Sequence, residues 1–438
     1  MAAAVAGFRA AHGTEPAGVW AAPGRVNLIG EHTDTSGGLA MPFALPHTTL
    51  AAASARPDGV LRLHSANAPG GAVELALDAL SPATGGGWAA YPAGVAWAMR
   101  EAGLPVGGAD VHFTSTVPTG AGLSSSAALE VATASALNDL YGLGLTAERV
   151  ARLAQRAENG FVGVPCGIMD QMASACCTTG HALHLDTRDL THRAVPFDVT
   201  AHGLRLLVVD TRVQHELGDG AYANRHAACE LGARRLGVPA LRDVAYGELG
   251  AALEKLADDP VVRRRVRHVV TENRRVEEVI ALLEAGDTRA IGPVLTAGHA
   301  SLRDDFEVSC AELDLVVETA NAAGALGARM TGGGFGGSAI ALVPDAAADA
   351  VAAAVTEAFA AAGFRAPRVF PAARGGGRGA VPRPGPAAAP ARALASARAN
   401  VPAPPRPSPP PRQPCLRVSP AYASAMRLTS RWSVSPGG

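Results

Sequence analysis

Residues 117–130 read Val-Pro-Thr-Gly-Ala-Gly-Leu-Ser-Ser-Ser-Ala-Ala-Leu-Glu, and this run constrains what lies on either side of it. Upstream, in 109–116, Val111 and Phe113 fall on one side and His112 and Thr114 on the other, which is the alternation of a strand. Downstream, 129–141 is rich in alanine and leucine and free of proline and glycine, so it reads as a helix. Between the two, Gly120 and Gly122 permit unusual dihedrals and close backbone approach, and Ser124, Ser125 and Ser126 stand at the expected N-cap and first turn. Strand, glycine loop and helix N-terminus in that order make an anion-binding arrangement. Ordinary capping serines on a strand-to-helix turn would produce the same letters.

The loop lacks the lysine of a Walker or protein-kinase site, for the chain's one lysine, Lys255, lies far away between Glu254 and Leu256. Phosphate bound here must therefore be met by backbone N–H groups, the helix dipole, hydroxyls and a divalent cation.

Two further segments place charge where a core would not choose it. In 22–38, Arg25, Asn27, Glu31, His32 and Asp34 are strung between Val26, Leu28 and Ile29. Buried charges demand partners, so the segment is either a salt-bridged turn or one wall of a site for a small polar ligand. In 163–172, Asp170 stands in apolar surroundings between Ile168 and Met172, a position that suits a helix cap, a buried ion pair or a catalytic carboxylate. Glu158 ends a helix capped by Thr146, where a carboxylate opposes the dipole and something must hold it, a surface ion pair being the simplest partner. Further on, 261–285 is a helix whose arginine and glutamate runs read as solvated faces, while 41–101 reads as scaffold.

With 438 residues, 48% of them apolar, the chain can bury two or three domains. No basic stretch leads into a hydrophobic N-terminal core and no run of about 18 apolar residues occurs, so neither a leader nor a membrane span is expected. Cys166, Cys176, Cys177, Cys229, Cys310 and Cys415 follow no metal or disulfide spacing and are expected to be reduced. The near-zero net charge hides an acidic body and a tail that, from Pro371 on, holds ten arginines and no acidic residue. That tail, 372–438, is built of proline, alanine, arginine, glycine and serine without helical or strand period, and is expected to be disordered. It reads as a basic docking segment or as an out-of-frame extension.

The run Pro-x-x-x-Gly-Leu-Ser-Ser-Ser-Ala over 118–127 resembles the second motif of the GHMP kinases, named for galactokinase, homoserine kinase, mevalonate kinase and phosphomevalonate kinase. Gly-Arg-Val-Asn-Leu-Ile-Gly-Glu-His-Thr-Asp over 24–34 resembles the signature of the galactokinase branch, and the glycine-rich 327–343 around Phe335 resembles the third motif of the family. The three stand in family order over about residues 5–370. The resemblance implies an α+β fold of two lobes, 1–195 and 196–371, with the active site between them. It implies transfer of phosphate from ATP, as co-substrate, to the C1 hydroxyl of α-D-galactose, with Mg2+. A related sugar 1-kinase, such as one for N-acetylgalactosamine, or a sensor that binds both ligands without turnover would resemble the chain too, but such sensors are damaged in the serine loop and Ser126-Ala127 are intact.

Carried over residue by residue, the resemblance gives Pro118, Gly120, Ala121, Gly122, Leu123, Ser124, Ser125, Ser126 and Ala127 to the nucleotide and Ser126 and Glu158 to magnesium. Glu31, His32, Asp34, Gly167, Asp170 and Tyr222 fall to the sugar, and catalysis to Asp170 beside the C1 hydroxyl with Arg25 next to it. Thr35 replaces the tyrosine usual after the aspartate, removing a ring from one wall, and Ser338 stands where members often carry cysteine. The implied partners are galactose and ATP, with no nucleic acid and no membrane, for a monomer in the cytoplasm.

Overall fold

The structure, a computed structural model, describes residues 1–82, 84, 86–213 and 220–372, together with the backbone of 379 and 380. Along the chain, helix α1 (Ala2–His12) stops at Gly13 in the left-handed conformation, and β1 (Gly18–Asn27) leads into the polar segment. There follow β2 (Leu39–Ala40), β3 (Pro42–Arg56), β4 (Val60–Ser65), β5 (Val73–Ala76), helix α2 (Ala90–Glu101) and β6 (Gly108–Ser115). Helices α3 (Ser125–Leu140), α4 (Ala147–Ala157) and α5 (Met169–Cys176) precede the hairpin of β7 (His181–Asp186) and β8 (His192–Pro196). The second half comprises β9 (Leu204–Asp210), α6 (Ala221–Leu236), α7 (Leu249–Lys255), α8 (Pro260–Glu284), α9 (Ile291–Ser301) and α10 (Ala311–Ala322). It closes with β10 (Gly327–Thr331), β11 (Ser338–Pro344), α11 (Ala348–Ala361), β12 (Arg368–Pro371) and β13 (Gly379–Ala380). The expected α+β class holds.

A six-stranded sheet runs β13-β1-β3-β6-β4-β5, antiparallel except for the parallel β4–β6 pair, and a four-stranded antiparallel sheet runs β10-β11-β9-β12. Strand alternation decides what each face buries. On β3, Ala51 and Ala53 join the core under α2 to α5 with Phe113, Val131 and Leu137, whereas Ala52 points the other way against Ala4 and Phe8 of α1. On β9, Leu207 and Val209 face α10 and α11, and Leu206 and Val208 face a third core. That third core draws on both halves, joining Val26, Leu28 and Ile29 to Val276 and Val279 of α8 and to Ile340 of β11. It therefore seats the polar segment after β1 against the second half of the chain.

Two expectations are corrected. The charged run of α8 is not a solvated face throughout: Arg265, His268 and Glu272, spaced three and four apart and thus on one side of the helix, are buried together with Asn273, His268 and Glu272 meeting the polar segment and Arg265 the turn at 305–307. The tail is not without strand pairing either, since Gly379 and Ala380 pair with Ala21 and Trp20 at the edge of the six-stranded sheet. Such a pair needs only backbone donors and acceptors, which no side-chain period announces. The rest of the tail, to which the expectation of disorder applies, lies outside the described residues. No helix among the described residues is long and apolar enough to cross a membrane.

β10 is seated by a close backbone approach to α9. A Cβ on Gly327 would lie 1.9 Å from the carbonyl oxygen of Gly292, and one on Gly292 would lie 2.2 Å from that of Leu326. Backbone cannot step aside as a flexible side chain can, so Gly327→Ala is expected to cost about 3 kcal/mol. Thermal unfolding checks this, and an unchanged melting temperature would show that α9 and β10 separate freely.

Candidate active site

The serine loop keeps its shape through unusual backbone and through contacts from three directions. Gly120 and Gly122 adopt φ of 73° and 69°, and Ser124, the N-cap of α3, adopts φ of 59°. A non-glycine residue there is strained by about 1 kcal/mol or more. Ser124 makes no capping bond; its hydroxyl donates to Oδ2 of Asp170 at 2.5 Å, so the expected cap is instead a link to α5. On the other side, the pairing of β1 with β3 shifts register between Pro23 and Arg25, and Gly24 comes so near that a Cβ would lie 2.7 Å from the Leu123 carbonyl oxygen. The Arg25 N–H donates to that oxygen at 3.1 Å. From β11, Ser338 donates to the Ala121 carbonyl at 2.7 Å, and Gly332 approaches the Gly122 carbonyl closely enough that a Cβ would lie 2.6 Å away.

Arg25 and Asp170, distant in sequence, form the central pair. Nε and Nη2 of Arg25 reach Oδ1 of Asp170 at 2.9 and 2.7 Å, and Nη1 donates to the Gly122 carbonyl at 2.5 Å. Arg25 is 4% exposed and Asp170 29%, so the carboxylate keeps an open side while its partner is walled in.

Glu31, His32 and Asp34 stand on the loop between β1 and β2. Both oxygens of Glu31 are engaged: Oε2 accepts from Asn27 at 2.8 Å and from Arg329 at 2.5 Å, and Oε1 from the Gly332 N–H at 2.9 Å and from Thr331 at 3.2 Å. Burial nevertheless pushes its carboxyl up to about 7. His32 is packed between Phe306 and Tyr222, at ring distances of 4.7 and 5.6 Å, and its Nε2 is buried without a hydrogen-bond partner. Burial, then the nearby His268, drives that imidazole down to about 3, so it stays neutral at physiological pH. Burial and the charge of Asp170 raise the carboxyl of Asp34. Gly167 leaves room for it, since a Cβ there would lie 1.8 Å from Oδ2 of Asp34.

Glu158 begins a π-helical turn after α4. Gln171 of α5 holds it, donating to Oε2 of Glu158 at 2.6 Å and to Oε2 of Glu130 at 3.2 Å, and Ser126 hydrogen-bonds it as well. This replaces the surface ion pair that a helix-end carboxylate suggests. Burial raises both carboxyls, helped by the charge of Glu158 at Glu130 and by that of Asp170 at Glu158, and Oε1 of Glu130 has no hydrogen-bond partner. Neither makes an ion pair among the described residues.

Arg25, Glu31, His32, Asp34, Ser126, Glu158, Gly167, Asp170 and Tyr222 all line one cavity of about 280 Å³. A second cavity of about 240 Å³ opens on the far side of Ser126 and is lined by Ser125, Thr119, Asn67, Trp88, Tyr91 and Phe113. Of the loop residues expected at a nucleotide, Ser125 and Ser126 face this space. Ala121, Leu123 and Ala127 are buried, and the carbonyls of Ala121, Gly122 and Leu123 are held by Ser338 and Arg25. Trp88, Tyr91 and Asn67 escaped sequence reasoning, which took their region for scaffold. Two aromatic rings three positions apart, in a chain only 4% aromatic, were the signal available.

Comparison with known proteins identifies the family and the fold. Residues 6–55 match the profile described as the galactokinase galactose-binding signature, 90–178 the GHMP kinases N terminal domain and 279–361 the GHMP kinases C terminal. The chain is 66% identical over 377 residues to a galactokinase of Streptomyces coelicolor, covering 85% of this chain and 97% of that protein. It is 47% identical over 350 residues to a galactokinase of Mycobacterium bovis, covering 80% and 95%. The crystal structure of Lactococcus lactis galactokinase complexed with galactose superposes with a TM-score of 0.82 at 32% identity, over 87% of this chain and 99% of that one. Methanococcus jannaschii mevalonate kinase shares the fold, with a TM-score of 0.58 at 18% identity over 81% of this chain and 96% of that one. With these likenesses running through nearly the whole described chain, it belongs to the galactokinase family of GHMP kinases.

Proposed function

We infer that this protein transfers the terminal phosphoryl group of ATP to the C1 hydroxyl of galactose, giving galactose 1-phosphate and ADP. The observation that carries the reading is the pair of cavities meeting at Ser126, one lined by Asp34, Asp170 and an unpartnered His32, the other by aromatic rings.

In this reading the sugar lies in the first cavity. The Asp34 carboxylate accepts from sugar hydroxyls, and neutral His32 and Tyr222 each offer a donor or acceptor. The engaged carboxylate of Glu31 forms a fixed edge. The open side of Asp170 faces the C1 hydroxyl and accepts or orients its proton, and Ser124 and Arg25 keep the carboxylate from rotating. The Arg25 guanidinium, desolvated and fixed by Gly122, also stabilises charge on the transferring oxygens. In the second cavity, Trp88 and Tyr91 supply faces for the nucleotide base, and Ser125 and Ser126 stand on the phosphate side. The cytoplasm, where thiols stay reduced, is the compartment proposed.

The residues fit a divalent cation. Two buried carboxylates with raised affinity for protons, one of them with an unpartnered oxygen, lack a compensating positive charge, and Glu158 with Ser126 would offer hard oxygen ligands. Magnesium there, with ATP, supplies neutralisation of phosphate charge.

A coupled ADP-release assay across a sugar panel tests the proposal, with galactose expected to exceed glucose by about 10³-fold or more in kcat/KM, because the wrong epimer leaves buried polar groups unpaired. Comparable values would sink it. Asp170→Asn should lower turnover by about 10³-fold while ATP affinity stays within a few-fold, since charge is removed and volume kept. Turnover near that of the unmodified protein would remove Asp170 from the reaction. Gly167→Ala should push the Asp34 carboxylate out of place and raise galactose KM by about tenfold or more with little change for ATP. An equal rise for both substrates would point to a general distortion instead.

A further inference from the structure

Arg329, on β10 and 0% exposed, reaches two other parts of the molecule. Its Nη2 donates to Oε2 of Glu31 at 2.5 Å, and Nη1 donates to Oε1 of Glu272 at 3.0 Å and to the Leu28 carbonyl at 3.3 Å. Leu28 and Glu31 belong to the loop that carries His32 and Asp34, and Glu272 belongs to α8. Glu272 continues the chain of contacts, accepting from the Gly30 N–H at 2.9 Å and from Arg275 at 2.7 Å. Burial works against its charge and is overcome by Arg329 and Arg275, so its carboxyl sits below the usual range. Two more α8 side chains grip the same loop. His268 Nε2 lies 3.1 Å from the Glu31 carbonyl, and Asn273 accepts from the Leu39 N–H at 2.7 Å.

The loop needs such holding. Gly30 and His32 take φ of 93° and 59°, and apart from one short turn at Asp34–Ser36 it has no helix or strand between β1 and β2. A buried ion-pair network is poor value as stability, because well-packed apolar groups do as well. What it supplies is direction: planar guanidinium against two carboxylates fixes orientation as well as distance. The network reaches the cavity only through Glu31, and it leaves His32, which lines the cavity, with its Nε2 free of any hydrogen-bond partner.

We propose that Arg329 is a positioning residue of the sugar site: by joining Glu31 to Glu272 it holds the loop so that His32 and Asp34 meet the hydroxyls of bound galactose. The inference rests on the galactokinase reading and deepens it. Its side chain touches neither cavity, so the effect must pass through the loop.

Arg329→Lys tests this, because a single ammonium keeps the charge but cannot serve both carboxylates and the Leu28 carbonyl in one plane. Galactose KM is expected to rise about tenfold or more, with ATP KM and kcat at saturating galactose within about twofold. Glu272→Gln, which retains volume and an acceptor for the Gly30 N–H, should give the same split in smaller measure, and it carries the test alone if the lysine variant does not fold. Galactose KM within twofold of the unmodified protein, or an equal rise for both substrates, overturns the proposal, even if melting temperature falls. Failure of the underlying reading looks different: the unmodified protein would then not phosphorylate galactose. Galactose binding measured by calorimetry without nucleotide would still decide whether Arg329 matters to the loop.

Discussion

Arg25 joins, through one planar group, segments 145 and 97 residues away in the chain. Its contacts require β1 to bulge at Gly24, the serine loop to turn its Gly122 carbonyl inward, and α5 to begin where Asp170 can be met. Each of these would be costly alone. A guanidinium buried to 4% exposure must have its donors satisfied, so the geometry of three loops is settled together by one desolvation problem.

Around that pair the site is short of positive charge. Asp34, Glu158 and Asp170 line the first cavity, Glu130 stands behind them on Gln171, and the lysine that many phosphate sites use is absent. Burial first, and then the charge of a neighbouring carboxylate, raises the proton affinity of Asp34, Glu130 and Glu158.

What sequence could reveal here depended on how local the chemistry was. The glycine turns, the serine loop and the strung charges of 24–34 announce themselves because their residue types are wrong for a core or right for a turn, and Arg25, Glu31, His32, Asp34 and Ser126 are brought to one cavity. Ser124 read as a cap because capping is a local matter, whereas its bond to Asp170 depends on where α5 docks. In α8 the same charges that mark a solvated face became a buried brace, since only the third core brings that face to the loop. Trp88 and Tyr91 lay in a stretch whose strands and helix gave no sign that they border a cavity. The pairing of Gly379 and Ala380 with β1 has no side-chain signature at all.

The shared wall at Ser126 has a stereochemical consequence. On the proposed placement of sugar and nucleotide in these adjoining cavities, the phosphoryl group would pass straight from one oxygen to the other, with no intermediate halt on a carrier side chain. A single displacement of that kind turns the phosphorus inside out, so a terminal phosphate made chiral with oxygen isotopes would emerge on the sugar with its handedness reversed.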